Sequence, residues 1–133
     1  MEHKLILGTV QFGLDYGVNN AAGKVNSSNV KVILDAAFEK GVLLLDSAEG
    51  YGDSQEKIGE YHINSSNSFQ VITKFSSARL DLPANIKERV YKNLKTLNIK
   101  SLYSYMFHSF DDYNKFYPVF KEDLIFLREE KSI

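Results

Sequence analysis

An α/β fold built on a parallel sheet is predicted by three observations. Short apolar runs alternate along the chain with segments of helical periodicity. The run Val42 to Leu45 is continuously apolar, the pattern of a strand covered on both faces. Turn formers such as Gly8, Gly41 and the polar stretch Asn64 to Ser68 punctuate the alternation.

The elements follow in order. Leu5, Ile6 and Leu7 end at Gly8 and read as a buried first strand. A polar, Gly-rich loop runs from Gln11 to about Asn26. Ser27 or Ser28 is positioned to cap a helix whose Val30, Ile33, Leu34, Ala37 and Phe38 share one face. Gly41 suits the left-handed position just beyond it. After the strand Val42 to Leu45, Asp53 and Glu56 resemble a capping box for a short helix ending near His62. Phe69 to Thr73 reads as the third strand. Pro83 precedes a helix bearing Ile86, Val90, Leu94 and Leu97. Leu102 to Phe107 reads as the fourth strand, and Pro118 is expected near the start of a last helix with Val119, Phe120, Leu124 and Leu127. The resulting β-α-β-α-β-α-β-α order implies right-handed crossovers between parallel strands. By pattern alone, an open doubly wound sheet and part of a (β/α)8 barrel both fit.

Composition narrows the classes of function. The 133 residues correspond to about one domain. With 16 basic and 17 acidic side chains, the net charge of −1 offers no footprint for a phosphate backbone, so no nucleic-acid partner is expected. No run approaches the roughly 20 apolar residues of a membrane span. Met1 to Leu7 lack the apolar core of a signal peptide. The absence of cysteine excludes disulfides and thiolate sites, and fits a cytoplasmic location. His3, His62 and His108 are scattered without a ligand spacing, so no metal is expected. The first β-α loop holds neither GxGxxG nor a Walker loop.

In parallel α/β folds the chemistry collects at the carboxyl ends of the strands. Those ends supply Asp46, Lys74 and His108, with Tyr51 five residues past Asp46. Singly, each has an ordinary structural explanation: a turn carboxylate, a rim ammonium, a hydrogen-bonded imidazole, a packed phenol. Together on one rim they suggest a common use. An ammonium beside a phenol favours its ionised form, a carboxylate orients the ammonium, and an imidazole can bind a carbonyl. Such a set can polarise a carbonyl and protonate its oxygen, but it needs a separate hydride carrier. Lys74 as a Schiff-base lysine is a further reading of the same rim.

These residues carry a family resemblance. Leu45-Asp46-Ser47-Ala48-Glu49-Gly50-Tyr51-Gly52 resembles the D-[TS]-A-x-x-Y-G motif of the aldo-keto reductases. Leu7-Gly8-Thr9-Val10-Gln11-Phe12-Gly13 is similar to that family's first strand and loop. Val71-Ile72-Thr73-Lys74 and Tyr105-Met106-Phe107-His108 resemble its lysine-bearing and histidine-bearing strands. The resemblance implies a (β/α)8 barrel and NADPH-dependent reduction of an aldehyde or ketone. It implies that Tyr51 donates the proton, Lys74 lowers the phenol's pKa, Asp46 pairs with Lys74, and His108 orients the carbonyl. Gly8, Thr9 and Asp46 would border the nicotinamide.

Length sets a further expectation. A complete barrel takes about 250 residues, and four β-α units make about half of one. The segment Phe126 to Ile133 resembles the family's approach to a fifth strand. The strand-five end and the later loops that clamp the cofactor in the family have no counterpart here. The expected domain is therefore a single (β/α)4 half-barrel over residues 1–133, with open edges at the first and fourth strands. Side chains of Leu5 to Leu7 and Val42 to Leu45 would face water unless covered by self-association or by a missing C-terminal half. An inactive half-barrel or a self-associating scaffold is the alternative to a working reductase.

Overall fold

In the computed structural model, which describes residues 5–133, four parallel strands form one sheet in the order β1-β2-β3-β4. The strands are β1 (Leu7–Gly8), β2 (Leu44–Asp46), β3 (Gln70–Phe75) and β4 (Ser104–Phe107). The helices are α1 (Val10–Gly13), α2 (Ser27–Glu39), α3 (Ser54–Asn64), α4 (Ile86–Leu97) and α5 (Phe110–Glu129). Each strand pairs with its successor in sequence, so the described sheet has no point where the order reverses. That order belongs to an unclosed part of a β/α barrel rather than to a doubly wound sheet, whose strand order does reverse.

Register sorts the strand side chains onto two faces. Leu7, Leu45 and Val71 align across β1, β2 and β3, and Thr73 aligns with Tyr105. This face meets the helices: Leu45 and Val71 are fully buried in a core with Val30, Leu34, Ile58, Val90, Leu97 and Leu127. The alternate residues Gly8, Asp46, Ile72 and Ser104 align on the other face, together with Lys74 and Met106. Met106 there is 47% exposed. The expectation of wet apolar runs is therefore met only in part. Leu5 and Ile6 precede the two-residue β1 and are exposed, so they are not the buried strand expected. Leu44 and Leu45 are buried, as a strand covered on both faces requires and against the expectation that an open half-barrel leaves them wet, Leu45 because its register points it at the helices.

Several boundaries differ from the sequence reading, each for a physical reason. The loop from Gln11 opens with a short helix, α1. The cap of α2 is Asn26, whose side chain accepts from the Asn29 N–H, and not Ser27 or Ser28. Asp53 caps nothing with its side chain; its carboxylate pairs with Lys24 at 3.2 Å instead. α5 starts at Phe110, because Ser109 accepts from the Asp112 N–H and the acidic pair Asp111 and Asp112 suits a helix N-terminus. Pro118 therefore lies inside α5. Its missing N–H deprives the Asn114 carbonyl of the usual helical donor, at a residue that is exposed. Gly41 does adopt the left-handed conformation, at φ 76°.

Two close approaches set how the layers dock. A Cβ on Gly59 in α3 would lie 1.9 Å from the Thr96 carbonyl oxygen of α4. Gly13 meets the Tyr51–Gly52 backbone as closely, which seats the β2–α3 loop on α1. Lys57, 10% exposed, donates to the Phe12 and Val25 carbonyls at 2.7 Å each and ties α1 and its loop to α3. No helix among the described residues is long and apolar enough to cross a membrane.

Candidate active site

The strand ends bring the four candidate groups to the carboxyl edge of the sheet. Asp46 and Lys74 lie within the last residues of β2 and β3, slightly inside the strand ends. Alternation places both on the open face, and the β2–β3 register sets them one step apart. Lys74 Nζ donates to Asp46 Oδ1 at 2.5 Å, to the Ser47 carbonyl at 2.9 Å and to the Tyr51 hydroxyl at 3.5 Å. An ammonium has three N–H donors, and this geometry uses each of them. A nitrogen committed to three acceptors in this way is not presented to a substrate carbonyl, which speaks against a Schiff-base role. Nζ also sits 5.1 Å from the centre of the Tyr51 ring.

Tyr51 reaches this position through the β2–α3 loop. The Tyr51 N–H donates to the Ala48 carbonyl and its own carbonyl accepts from Ser54, forming consecutive turns into α3. Gly52 takes φ 55°, and a Cβ there would lie 2.2 Å from the Gly13 carbonyl oxygen. His108 follows β4, with its N–H on the Phe75 carbonyl. Its exposed ring meets Tyr51 edge to face at 6.0 Å between centres. The structure thus brings Asp46, Tyr51, Lys74 and His108 together.

The two first-strand candidates divide. Gly8 is on the open face, and nothing lies within 4 Å of a Cβ built there. Thr9 is fully buried: its hydroxyl donates to the Asp46 carbonyl at 3.0 Å and accepts from Ser54 Oγ at 3.0 Å. The Thr9 side chain therefore holds β1, β2 and α3 together beneath the rim. His62 is structural: Nδ1 donates to the Leu97 carbonyl at 2.7 Å and Nε2 accepts from the Phe69 N–H at 3.2 Å. Burial lowers its pKa below the usual 6.5. His3 lies outside the described residues. Among the described residues no group of three or more histidines and carboxylates could hold a metal.

One residue beside the site escaped the sequence reading. Glu49 occupies a variable position of the Asp46–Tyr51 motif, yet it is 1% exposed and pairs with buried Arg89 at 2.7 Å. The readable signal lay on α4. Arg89 and Asn93 fall on the same helical face as Ile86, Val90 and Leu97, and polar residues on an apolar face require a buried partner. Arg89 also lies over the Phe75 ring at 4.5 Å.

The fold and the site have counterparts among known proteins. The aldo/keto reductase family model matches residues 4–129. A search of the curated proteins finds no significant match. Among solved structures, the chain is similar to a Pseudomonas aeruginosa protein assigned as an aldo-keto reductase, at TM-score 0.72 and 25% identity over 95% of this chain and 51% of that one. It is also similar to an aldo-keto reductase from Bacillus halodurans in its holo form, at TM-score 0.63 and 20% identity over 97% of this chain and 43% of that one. An aldo-keto reductase from a deep-sea metagenome library matches at TM-score 0.63 and 21% identity, over 98% of this chain and 44% of that one. The chain spans about half the length of these solved relatives.

Proposed function

The chain belongs to the aldo/keto reductase family, and from that membership we propose that its open sheet face performs the acid–base half of an NADPH-dependent reduction of an aldehyde or ketone. The observation that carries the reading is the convergence of Asp46 and Tyr51 on one ammonium, that of Lys74. Tyr51 donates its hydroxyl proton to the carbonyl oxygen. The Lys74 ammonium, 3.5 Å from the phenol oxygen, stabilises the negative charge left there. Asp46 holds that ammonium in place beside the phenol. His108, exposed at the edge of the Tyr51 ring, donates a hydrogen bond that orients the substrate carbonyl. Bound NADPH supplies the hydride taken up by the carbonyl carbon, and the product is an alcohol.

The residues present fit one end of that cofactor. Gly8 leaves open space beside Asp46 where a flat ring can approach. Among the described residues, four cations at or near the rim are engaged by carboxylates rather than open to a phosphate: Lys74 by Asp46, Arg79 by Asp81, Arg89 by Glu49 and Lys24 by Asp53. A cytoplasmic setting belongs to the same proposal, supported by a sequence without cysteine.

A second reading is favoured by the edges of the sheet: a half-barrel that needs a second copy, or the other half of a longer protein, to cover it. Leu5 at 68% and Ile6 at 50% are exposed beside β1, while Met106 at 47% is exposed on β4. Titration of the purified chain with NADPH, followed by cofactor fluorescence with the solution mass recorded on the same sample, tests both. Saturable binding is the expected result for a working reductase, and a doubled mass identifies self-assembly as the way the site is completed. No binding at about millimolar cofactor, near the upper end of ordinary affinities, overturns unaided reduction and leaves the half-barrel reading.

A further inference from the structure

We infer that Glu49 is a positioning residue for the tetrad: one buried carboxylate that locks the three strand-end segments carrying Tyr51, Lys74 and His108 to each other. The inference rests on the reading of those residues as a working site. Glu49 Oε2 accepts from the Ser76 N–H at 3.0 Å and from Arg89 Nε and Nη2 at 2.9 and 2.7 Å, while Oε1 accepts from Asn93 Nδ2 at 2.8 Å and the Tyr105 hydroxyl at 2.6 Å. These partners come from different parts of the site. Glu49 lies two residues before Tyr51, Ser76 two residues after Lys74, and Tyr105 three residues before His108. The Glu49 main chain adds to the lock: its N–H donates to the Lys74 carbonyl at 3.1 Å and its carbonyl accepts from Arg79.

The chemistry is arranged to hold position. The carboxylate has about four lone-pair directions, and the donors around it occupy them all. Burial and the Glu49 charge keep the Tyr105 hydroxyl pKa well above its usual 10, so that group remains a donor. A buried ion pair of this kind contributes little net stability compared with apolar residues of the same volume, because both charges give up hydration. What such a network supplies is a fixed arrangement, since each hydrogen bond has a narrow range of distance and angle. Gly50, between Glu49 and Tyr51, is close enough to His108 that a Cβ there would lie 3.9 Å from His108 Cε1. A shift of the Glu49 loop therefore reaches His108 and Tyr51 together.

The test uses the full chain and the proton resonance of His108 Hε1, assigned by its loss in His108→Asn. That resonance senses the ring current of Tyr51, which the structure sets edge to face against the imidazole. Tyr51→Ala defines the signal without the ring. If Tyr51→Ala leaves the resonance unmoved, the tetrad is not assembled and the functional reading itself fails. If it moves, Glu49→Gln is expected to move the resonance at least halfway toward the Tyr51→Ala position. The double variant Glu49→Leu with Arg89→Leu removes both charges together, but it leaves the Ser76 N–H, the Asn93 amide and the Tyr105 hydroxyl without their acceptor, so it is expected to keep the displaced resonance. Tyr105→Phe, which deletes one oxygen and keeps the ring, is expected to move the resonance in the same direction. A parental resonance in Glu49→Gln, in the double variant or in Tyr105→Phe overturns the inference and reduces Glu49 to a structural ion pair.

Discussion

Replacing Gly59 by Ala offers a sharp test of how the helices pack. On propensity alone the change is favourable, since Ala in a helix interior is better than Gly by about 1 kcal/mol. The structure opposes it. The new Cβ would lie 1.9 Å from the Thr96 carbonyl oxygen, 3.0 Å from its carbon and 3.3 Å from the Leu97 carbonyl carbon. All three are backbone atoms of α4 or its last turn, so no side chain can swing aside. Restoring an ordinary contact of 3.4 Å requires α3 and α4 to part by about 1.5 Å. That movement also strains the 2.7 Å bond from His62 on α3 to the Leu97 carbonyl. Overpacking costs about 1–3 kcal/mol and the lost hydrogen bond about 1 kcal/mol. After the propensity gain, a net loss of about 2 kcal/mol remains, which lowers a urea midpoint by about 1 M. Gly50→Ala is the control, because its Cβ meets nothing closer than 3.7 Å. A Gly59→Ala midpoint equal to or above the parent's would refute the close approach of α3 and α4.

Other outcomes follow from the same geometry. In an assembly of this chain that reduces carbonyls, Tyr51→Phe removes only the proton donor, so turnover is expected to fall by about 10²- to 10⁴-fold while cofactor affinity is retained; steady-state kinetics and the NADPH titration read the two effects. His62 is neutral in the fold, and burial lowers its pKa below 6.5. The unfolded chain takes up that proton near pH 6.5 while the folded chain resists it, so the stability is whole above that pH and declines as pH falls toward the folded value. Urea midpoints on either side of pH 6.5 should show this decline, and His62→Gln should flatten it. Asn85 caps α4 through the Lys87 and Glu88 N–H groups, so Asn85→Ala should cost about 1 kcal/mol. The Asp53 carboxylate is itself half-exposed, and Lys57 keeps its two carbonyl partners without it, so Asp53→Ala should cost under about 1 kcal/mol in the same urea melt.

The sequence by itself determined the alternation of strands and helices, the left-handed turn at Gly41 and the four groups at the strand ends. These are local properties: periodicity, turn chemistry and the distance of a residue from the end of an apolar run. Asp46, Tyr51, Lys74 and His108 were legible because a parallel sheet gathers whatever lies at its carboxyl ends. The tertiary structure alone decided what depends on a distant partner. Two strand orders fit the same pattern, and only pairing of each strand with its successor separates them. Asp53 has the sequence of a cap, but Lys24, 29 residues earlier, takes its carboxylate. Leu5 and Leu45 are equally apolar, but Leu45 is paired inside the sheet and turned toward the helices, while Leu5 lies before β1 and is exposed. Glu49 reads as a variable position of a motif until Arg89, Asn93 and Tyr105, 40 to 56 residues away, close around it. A charge is affordable in the interior only when its partners are already in place, and those partners meet only once the sheet and α4 have packed together.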